Sequence, residues 1–467
     1  MLKIFPDFIS RKAILWYCAT LLVVTLIFMR HSTSLLWMVF GAMEVITFFY
    51  FSNALTQRWQ NISTKIFVSR IFWTSLIIRI VYVIFAYFFY NFMTGQPFMF
   101  HSADEQLYYD MSLLWSKYGF QEFVNSMGNI GFSDSGEMYW TAFLCNIFGP
   151  HIFPVRIGHA VLSAFTCVLI YRIAHRHFEE PVARIAAVFC MLMPNLIYYC
   201  GTHLKEADMV FLIVFFIDRI DIILTDNKIN FANLIIAVLS AIALFTFRTA
   251  LGAVALLSVI VAIMFNKGQL GSWWKRIVLV LVVSIGLFGT SVGNRIMGEA
   301  TELWETKETN QSDSMEWRSQ RVGGNTLVKN LSGAVFAPLI FTIPFPTMVN
   351  VDGQENQQMI HGGNFVKNIL SGFVIFALFT MLFSGEWRKH TLLIAFMCGY
   401  LVVIAFSAFA HSERFHQPAL PFELMFAAWG VTQLKPKQVR WLNMWMVFIF
   451  VANIFWAWFK FKGRGLV

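Results

Sequence analysis

Charge is scarce in this sequence. Lys, Arg, Asp and Glu make up 13% of its 467 residues, against 58% hydrophobic residues, and the mean hydropathy is +0.62. A soluble domain carries about 25% charge, so a soluble enzyme and a disordered tail are both excluded. Acids are the scarcer sign, 26 against 35 bases, which leaves a net charge of +9. The cations sit between apolar runs, where they anchor against anionic lipid heads, so the positive balance is no argument for nucleic acid. Cysteine is sparse too. Cys18, Cys145, Cys167, Cys190, Cys200 and Cys398 lie mostly inside apolar runs, without a metal or redox spacing. There is no internal repeat and no low-complexity tract. No small-residue cleavage site follows the first apolar run, so that run, preceded by Lys3, Arg11 and Lys12, is expected to stay as a signal anchor.

What is present is apolar sequence in long pieces. A membrane crossing needs about 20 apolar residues. On that measure the chain reads as an all-α polytopic bundle of about thirteen spans. They fall near 13–29, 35–51, 66–92, 152–174, 182–202, 207–225, 231–247, 249–266, 275–292, 366–383, 391–410, 418–434 and 440–460. With the amino terminus inside, the inner connections hold Arg58 and Lys65, Arg172, Arg176 and Arg184, Lys228, Lys267, Lys275 and Arg276, Arg388 and Lys389, and Lys435, Lys437 and Arg440. That is a positive-inside pattern; the tail with Lys460, Lys462 and Arg464 is its exception. Reading 231–266 as one span would turn the later basic loops outward, so two short spans flanking Arg248 are expected. The organisation is then two N-terminal spans (1–65), a transmembrane module (66–292) with a long first outer loop (94–151), a second outer loop (293–365) and C-terminal spans (366–467). Neither outer loop is long enough for a domain with its own core, so both are expected to carry amphipathic helices on the membrane surface.

The first outer loop opens His101-Ser102-Ala103-Asp104-Glu105-Gln106-Leu107-Tyr108. Leu107, Met111, Leu114 and Tyr118 recur at helical spacing and predict an amphipathic helix with that stripe facing the bilayer. Ser102 and Glu105 have capping-box spacing, and Asp104 falls in the first turn, where the dipole favours a carboxylate. A plain helix start explains both acids; a general base held ionised at the membrane surface explains them equally. Asp110, Glu122, Asp134 and Glu137 follow in the same loop.

Asp104-Glu105-x-x-Tyr108 in a first outer loop is similar to the acidic pair of the GT-C superfamily of membrane glycosyltransferases. Phe148-Gly149-Pro150 leads into Val155-Arg156-Ile157, a span, a basic inner loop and a further span ending near Pro194. This order resembles the bacterial relatives of protein O-mannosyltransferase and of the lipid A aminoarabinose transferase, over roughly residues 66–225 with a second patch near 411–430. Two features depart from the pattern. Two spans precede the one before the loop, and the loop's distal end, Ser135-Gly136-Glu137-Met138-Tyr139, lacks a Pro-rich stretch.

The resemblance implies a sugar donor on a polyprenyl phosphate, a glycan, lipid or protein acceptor, and a bacterial plasma (inner) membrane with the site on its extracytoplasmic side. Asp104, with Glu105 beside it, would be the catalytic acid pair. Lys205, Arg248 and Arg414 are the candidates for the donor phosphate. Lys205 lies where the dipole disfavours a cation, which an anionic ligand would explain; pairing with Glu206 or Asp208 is the plain alternative. Arg414, in His411-Ser412-Glu413-Arg414-Phe415-His416 before Pro418 and Pro421, offers a fork of donors suited to phosphate. Asp134, Glu137, Glu206, His411 and His416 are further candidates. No cofactor is indicated; the resemblance leaves a divalent metal open, with Glu105 or Asp134 to help hold it.

The second outer loop holds Arg318 and Arg321, which would carry the chemistry if the protein were instead an O-antigen-type polymerase or ligase. Its stretch from Ala334 to Met348 is broken by Pro338, Pro344 and Pro346 and is expected to lie in the interface or re-enter. Gly323-Gly324-Asn325 and Gly362-Gly363-Asn364 are expected to mark turns. A lipid-linked-sugar flippase or other transporter would show inverted repeats and polar residues near mid-membrane; there is no repeat, and the polar candidates cluster at one face. Glu44 and Arg79 fall near the middle of consecutive spans and are expected to pair.

Overall fold

The structure is a computed structural model that describes residues 2–127, 134–225, 230–265, 320, 337–407, 409–435 and 439–465. Among them all regular structure is helical, apart from an isolated antiparallel bridge between Ser32 and Val349. Helices α1 (Asp7–Ile27), α2 (Leu35–Trp59) and α3 (Thr64–Thr94) precede three loop helices, α4 (Ala103–Tyr118), α5 (Phe120–Met127) and α6 (Ser135–Phe148). Then come α7 (Ile152–His177), α8 (Glu180–Leu192), α9 (Pro194–Tyr198), α10 (Glu206–Thr225), α11 (Phe231–Phe247) and α12 (Thr249–Phe265). The last set is α13 (Glu355–Met359), α14 (His361–Ser384), α15 (Thr391–Ala405), α16 (Glu413–His416), α17 (Leu420–Thr432) and α18 (Val439–Lys462).

Six of these, α1, α2, α3, α7, α14 and α18, are each long and apolar enough to cross a bilayer. α8 and its continuation to Gly201, bent by 49°, are together long and apolar enough for a broken span or a re-entrant loop. Each expected run falls on a helix except 275–292, which lies outside the described residues. The protein is an integral membrane protein. α7 and α14 form the middle of the bundle, with 61% and 67% of their apolar windows buried, against 28–33% for α1, α2, α3 and α18. The outer helices turn Leu22, Met43, Phe88, Phe92 and Phe455 outward, as a lipid-facing surface requires.

The bend after α8 has a local cause. Pro194 has no N–H to give, so the carbonyl of Cys190, four residues earlier, loses its intrahelical donor. Arg79 reaches across from α3 and supplies one: Nη2 lies 3.2 Å from Cys190 O and Nη1 3.2 Å from Met191 O. Its remaining donors go to Ser163 Oγ at 2.7 Å and Ser75 Oγ at 2.5 Å. This corrects the expected Glu44–Arg79 pair. Glu44 turns the other way and accepts the N–H of Gly363 at 2.8 Å, in the first turn of α14, where N–H groups lack partners. Gly362-Gly363-Asn364 is thus not a turn but a helix start. Gly362 permits the contact: a Cβ there would lie 2.4 Å from Gly41 O.

The Pro-broken stretch packs inside the protein, as re-entry would require: residues 342–349 are buried, and α14 satisfies their backbone. Asn368 donates to Thr342 O (2.5 Å) and Pro344 O (3.0 Å), and Lys367 to Ile343 O (2.8 Å). Irregular backbone at such depth is tolerated when buried in protein. α4 also packs against the protein. Its protein-facing side is Glu105, Tyr108 and Ser112, while Leu107 and Tyr118 stay exposed.

Candidate active site

α4 starts as its sequence suggests. Ser102 Oγ accepts the Glu105 N–H at 3.3 Å. The reciprocal half of the capping box is absent, because Glu105 has other work. Its carboxylate accepts the N–H of Met99 at 2.7 Å and that of His203, and Arg156 Nη2 lies 4.0 Å away. Arg156 itself donates to Pro97 O. Burial raises the Glu105 pKa, against the opposing pull of Arg156 and the two N–H groups. With both oxygens engaged and no exposure, Glu105 is a positioning residue that joins α4, the segment before it and the segment before α10. Of the expected acid pair, it is Asp104 that stays accessible.

Asp104, one residue earlier, points the other way. Its side chain is 55% exposed, and Oδ2 lies 2.5 Å from Arg414 Nη1. Arg414 Nε lies 2.6 Å from Glu206 Oε1, and Arg248 Nη2 lies 3.9 Å from the same oxygen. Glu206 opens α10, where the helix dipole favours an acid. Arg248 occupies the extended break between α11 and α12, stacks over the Phe415 ring at 4.3 Å and donates to Tyr400 Oη at 3.3 Å. Lys205 pairs with Asp134 and donates to Phe247 O at 2.8 Å. That carbonyl ends α11 and has no helical partner. Asp134, rather than the expected Glu206 or Asp208, is therefore the ion-pair partner of Lys205. Asp104, Lys205, Arg248 and Arg414, together with Asp134 and Glu206, thus meet in one cluster, although they come from opposite ends of the chain.

The electrostatics of the cations differ. Burial lowers the Lys205 pKa, Arg248 lowers it further, and Asp134 and Glu206 oppose them. For Arg414 burial also acts downward, but Glu206, Tyr108 and Asp104 outweigh it and raise the pKa well above the ordinary value. Arg414 is charged at any usable pH.

Other candidates lie elsewhere. Glu137 belongs to a separate buried cluster with His159 Nε2 at 3.6 Å and His203 Nδ1 at 3.9 Å. Among the described residues, Glu137, His159 and Asp208 have donor atoms close enough to share a metal ion, within 4.8 Å of one another. Glu105 and Asp134, the expected holders, are committed to other partners. His416 is buried between Lys367 Nζ (2.9 Å) and Ala410 O (2.8 Å) and so does not reach the phosphate candidates. His411 is half-buried. Arg318 and Arg321 lie outside the described residues. The sequence singled out neither Arg156 nor His159 as a site residue. Each is a polar residue in an otherwise apolar span, a signal in principle; Arg156 entered only as part of the run Val155-Arg156-Ile157, and His159 belongs to no motif.

Residues 137–293 match the family described as dolichyl-phosphate-mannose-protein mannosyltransferase. The match bears out the resemblance to GT-C membrane glycosyltransferases. The matched segment takes in Glu137, His159, Lys205, Glu206 and Arg248, while Asp104 and Arg414 lie on either side of it. Two solved structures of ArnT from Cupriavidus metallidurans are similar. The apo form is 13% identical, with a TM-score of 0.48, over 82% of this chain and 62% of that one. The form bound to undecaprenyl phosphate is 15% identical, with a TM-score of 0.49, over 83% of this chain and 64% of that one. The chain thus spans under two thirds of the length of either. No curated protein sequence matches it.

Proposed function

We propose that the protein is a membrane glycosyltransferase that passes a sugar from a polyprenyl-phosphate-linked donor to an acceptor hydroxyl on the extracytoplasmic face. The observation that carries the reading is the pairing of Arg414 with exposed Asp104 on one side and buried Glu206 on the other, with Arg248 beyond. A half-open carboxylate next to several cations is what such a transfer needs. Asp104 takes the acceptor proton. The freed oxygen forms a bond to the anomeric carbon, with inversion, as the bond from that carbon to the phosphate oxygen breaks. The leaving phosphate keeps the electron pair and gains charge. Arg414, Lys205 and Arg248 stabilise that charge, and the guanidinium fork of Arg414 suits two phosphate oxygens at once.

Without donor, Arg414 is neutralised by Asp104 and Glu206, and Lys205 by Asp134. The donor phosphate competes for these cations, and in doing so releases Asp104 to face the acceptor. The family's description, which names a dolichyl-phosphate-linked mannose donor, supports the donor class. The acceptor is a glycan, lipid or protein hydroxyl.

The test is a transfer assay with Asp104→Asn. The variant keeps shape and removes the base, so transfer falls by about 10²–10⁴-fold while undecaprenyl phosphate binding is retained. A variant that transfers at the wild-type rate ends this assignment.

A further inference from the structure

A second cluster lies behind the first and takes no part in the proposed transfer. Glu137 from α6, His159 from α7 and Asp208 from α10 converge, together with His203 from the segment before α10, and all are buried. His159 Nε2 is 3.2 Å from Asp208 Oδ2 and 3.6 Å from Glu137 Oε1. Ligand atoms bound tetrahedrally at about 2.1 Å from a zinc-sized ion stand about 3.4 Å apart.

The atoms that face one another lack partners. Both Asp208 oxygens, Glu137 Oε2, His159 Nε2 and both His203 ring nitrogens have no hydrogen bond. The other nitrogen of His159 explains its orientation. Nδ1 lies 3.3 Å from Thr202 O, and a carbonyl only accepts, so Nδ1 carries a proton and the ring turns Nε2 to the two acids. This is the second-shell contact that fixes a metal-binding imidazole. Two buried carboxylates on one nitrogen need a positive charge between them, from a metal ion or from a second proton on the ring.

We propose that Glu137, His159 and Asp208, with His203 completing the set, bind one divalent transition-metal ion, with Zn²⁺ as the best match to mixed imidazole and carboxylate donors. The ion joins the loop helix α6 to the bundle helices α7 and α10. It also fixes the segment His203-Leu204-Lys205, and so the position of Lys205. Its role is structural, and it stands independently of the glycosyl-transfer reading.

The experiment uses the full chain purified in detergent without added metal. Elemental analysis is expected to find about one bound metal ion per chain. Stripping with a chelator lowers the thermal unfolding midpoint, and stoichiometric Zn²⁺ restores it. Glu137→Gln and Asp208→Asn cut the metal content at least tenfold. Should either variant fail to fold, the wild-type analysis decides alone. Wild-type protein without bound metal and without a Zn²⁺-dependent shift overturns the proposal, as do variants that retain the full metal content; a proton on His159 then closes the cluster. Undecaprenyl phosphate binding, measured on the same samples, reports separately on the donor site.

Discussion

Asp104 and Glu105 are neighbours in the chain and opposites in environment. One is half open beside Arg414; the other is sealed between two backbone N–H groups and Arg156. Their substitutions therefore separate. Asp104→Asn acts on transfer, whereas Glu105→Gln acts on folding. The amide of Glu105→Gln brings N–H donors against backbone donors, at a cost of about 1–3 kcal/mol, read as a lower unfolding midpoint. Lys205 gives a pH signature. In the proposed reaction its charged form faces the donor phosphate, and burial with Arg248 lowers its pKa. Donor binding therefore weakens on the alkaline side, at a pH below the ordinary lysine range. Lys205→Arg stays charged and removes that limb from the binding profile. The sign for stability follows from the same shift. The unfolded chain holds the proton that the folded one has lost, so Lys205 adds stability as pH rises through the window between the two pKa values.

At the scale of elements, what the sequence revealed depended on whether a local signal existed. The break between α11 and α12 at Arg248 was legible because a single span there would turn the later basic loops outward. The loop helix α4 was legible in its span and its start, whereas the side formed by Glu105, Tyr108 and Ser112, which packs against the protein, carries no local signal. The Glu44–Arg79 pair was inferred from depth alone and failed, because a carbonyl freed by Pro194 and a helix start at Gly363 offered each charge a partner on another helix. Arg79→Met is expected to destabilise the protein in detergent by about 1–3 kcal/mol or more, by leaving the Cys190 carbonyl unsatisfied. An unchanged unfolding midpoint would show that the bend needs no side-chain donor.

On the scale of the whole molecule, hydropathy settles the architecture, and the distribution of polar residues points to the site. The phosphate candidates were legible because they interrupt or end apolar runs at one end of the bundle. The Glu137, His159 and Asp208 cluster was not, because its donors sit on separate helices with no sequence spacing in common. Sidedness is open to direct measurement. An impermeant thiol reagent applied to intact cells is expected to label His101→Cys and to leave Lys389→Cys unlabelled, in each case in a background lacking the native cysteines. The reverse pattern would put the cluster on the cytoplasmic side and remove the proposed orientation.

The most direct measurement is a cryo-electron-microscopy structure of the full chain with undecaprenyl phosphate bound. The account predicts phosphate oxygens within about 3 Å of the Arg414 guanidinium, with Lys205 and Arg248 flanking them and Asp104 detached from Arg414. A phosphate bound elsewhere, with the Arg414–Asp104 contact intact, would contradict it.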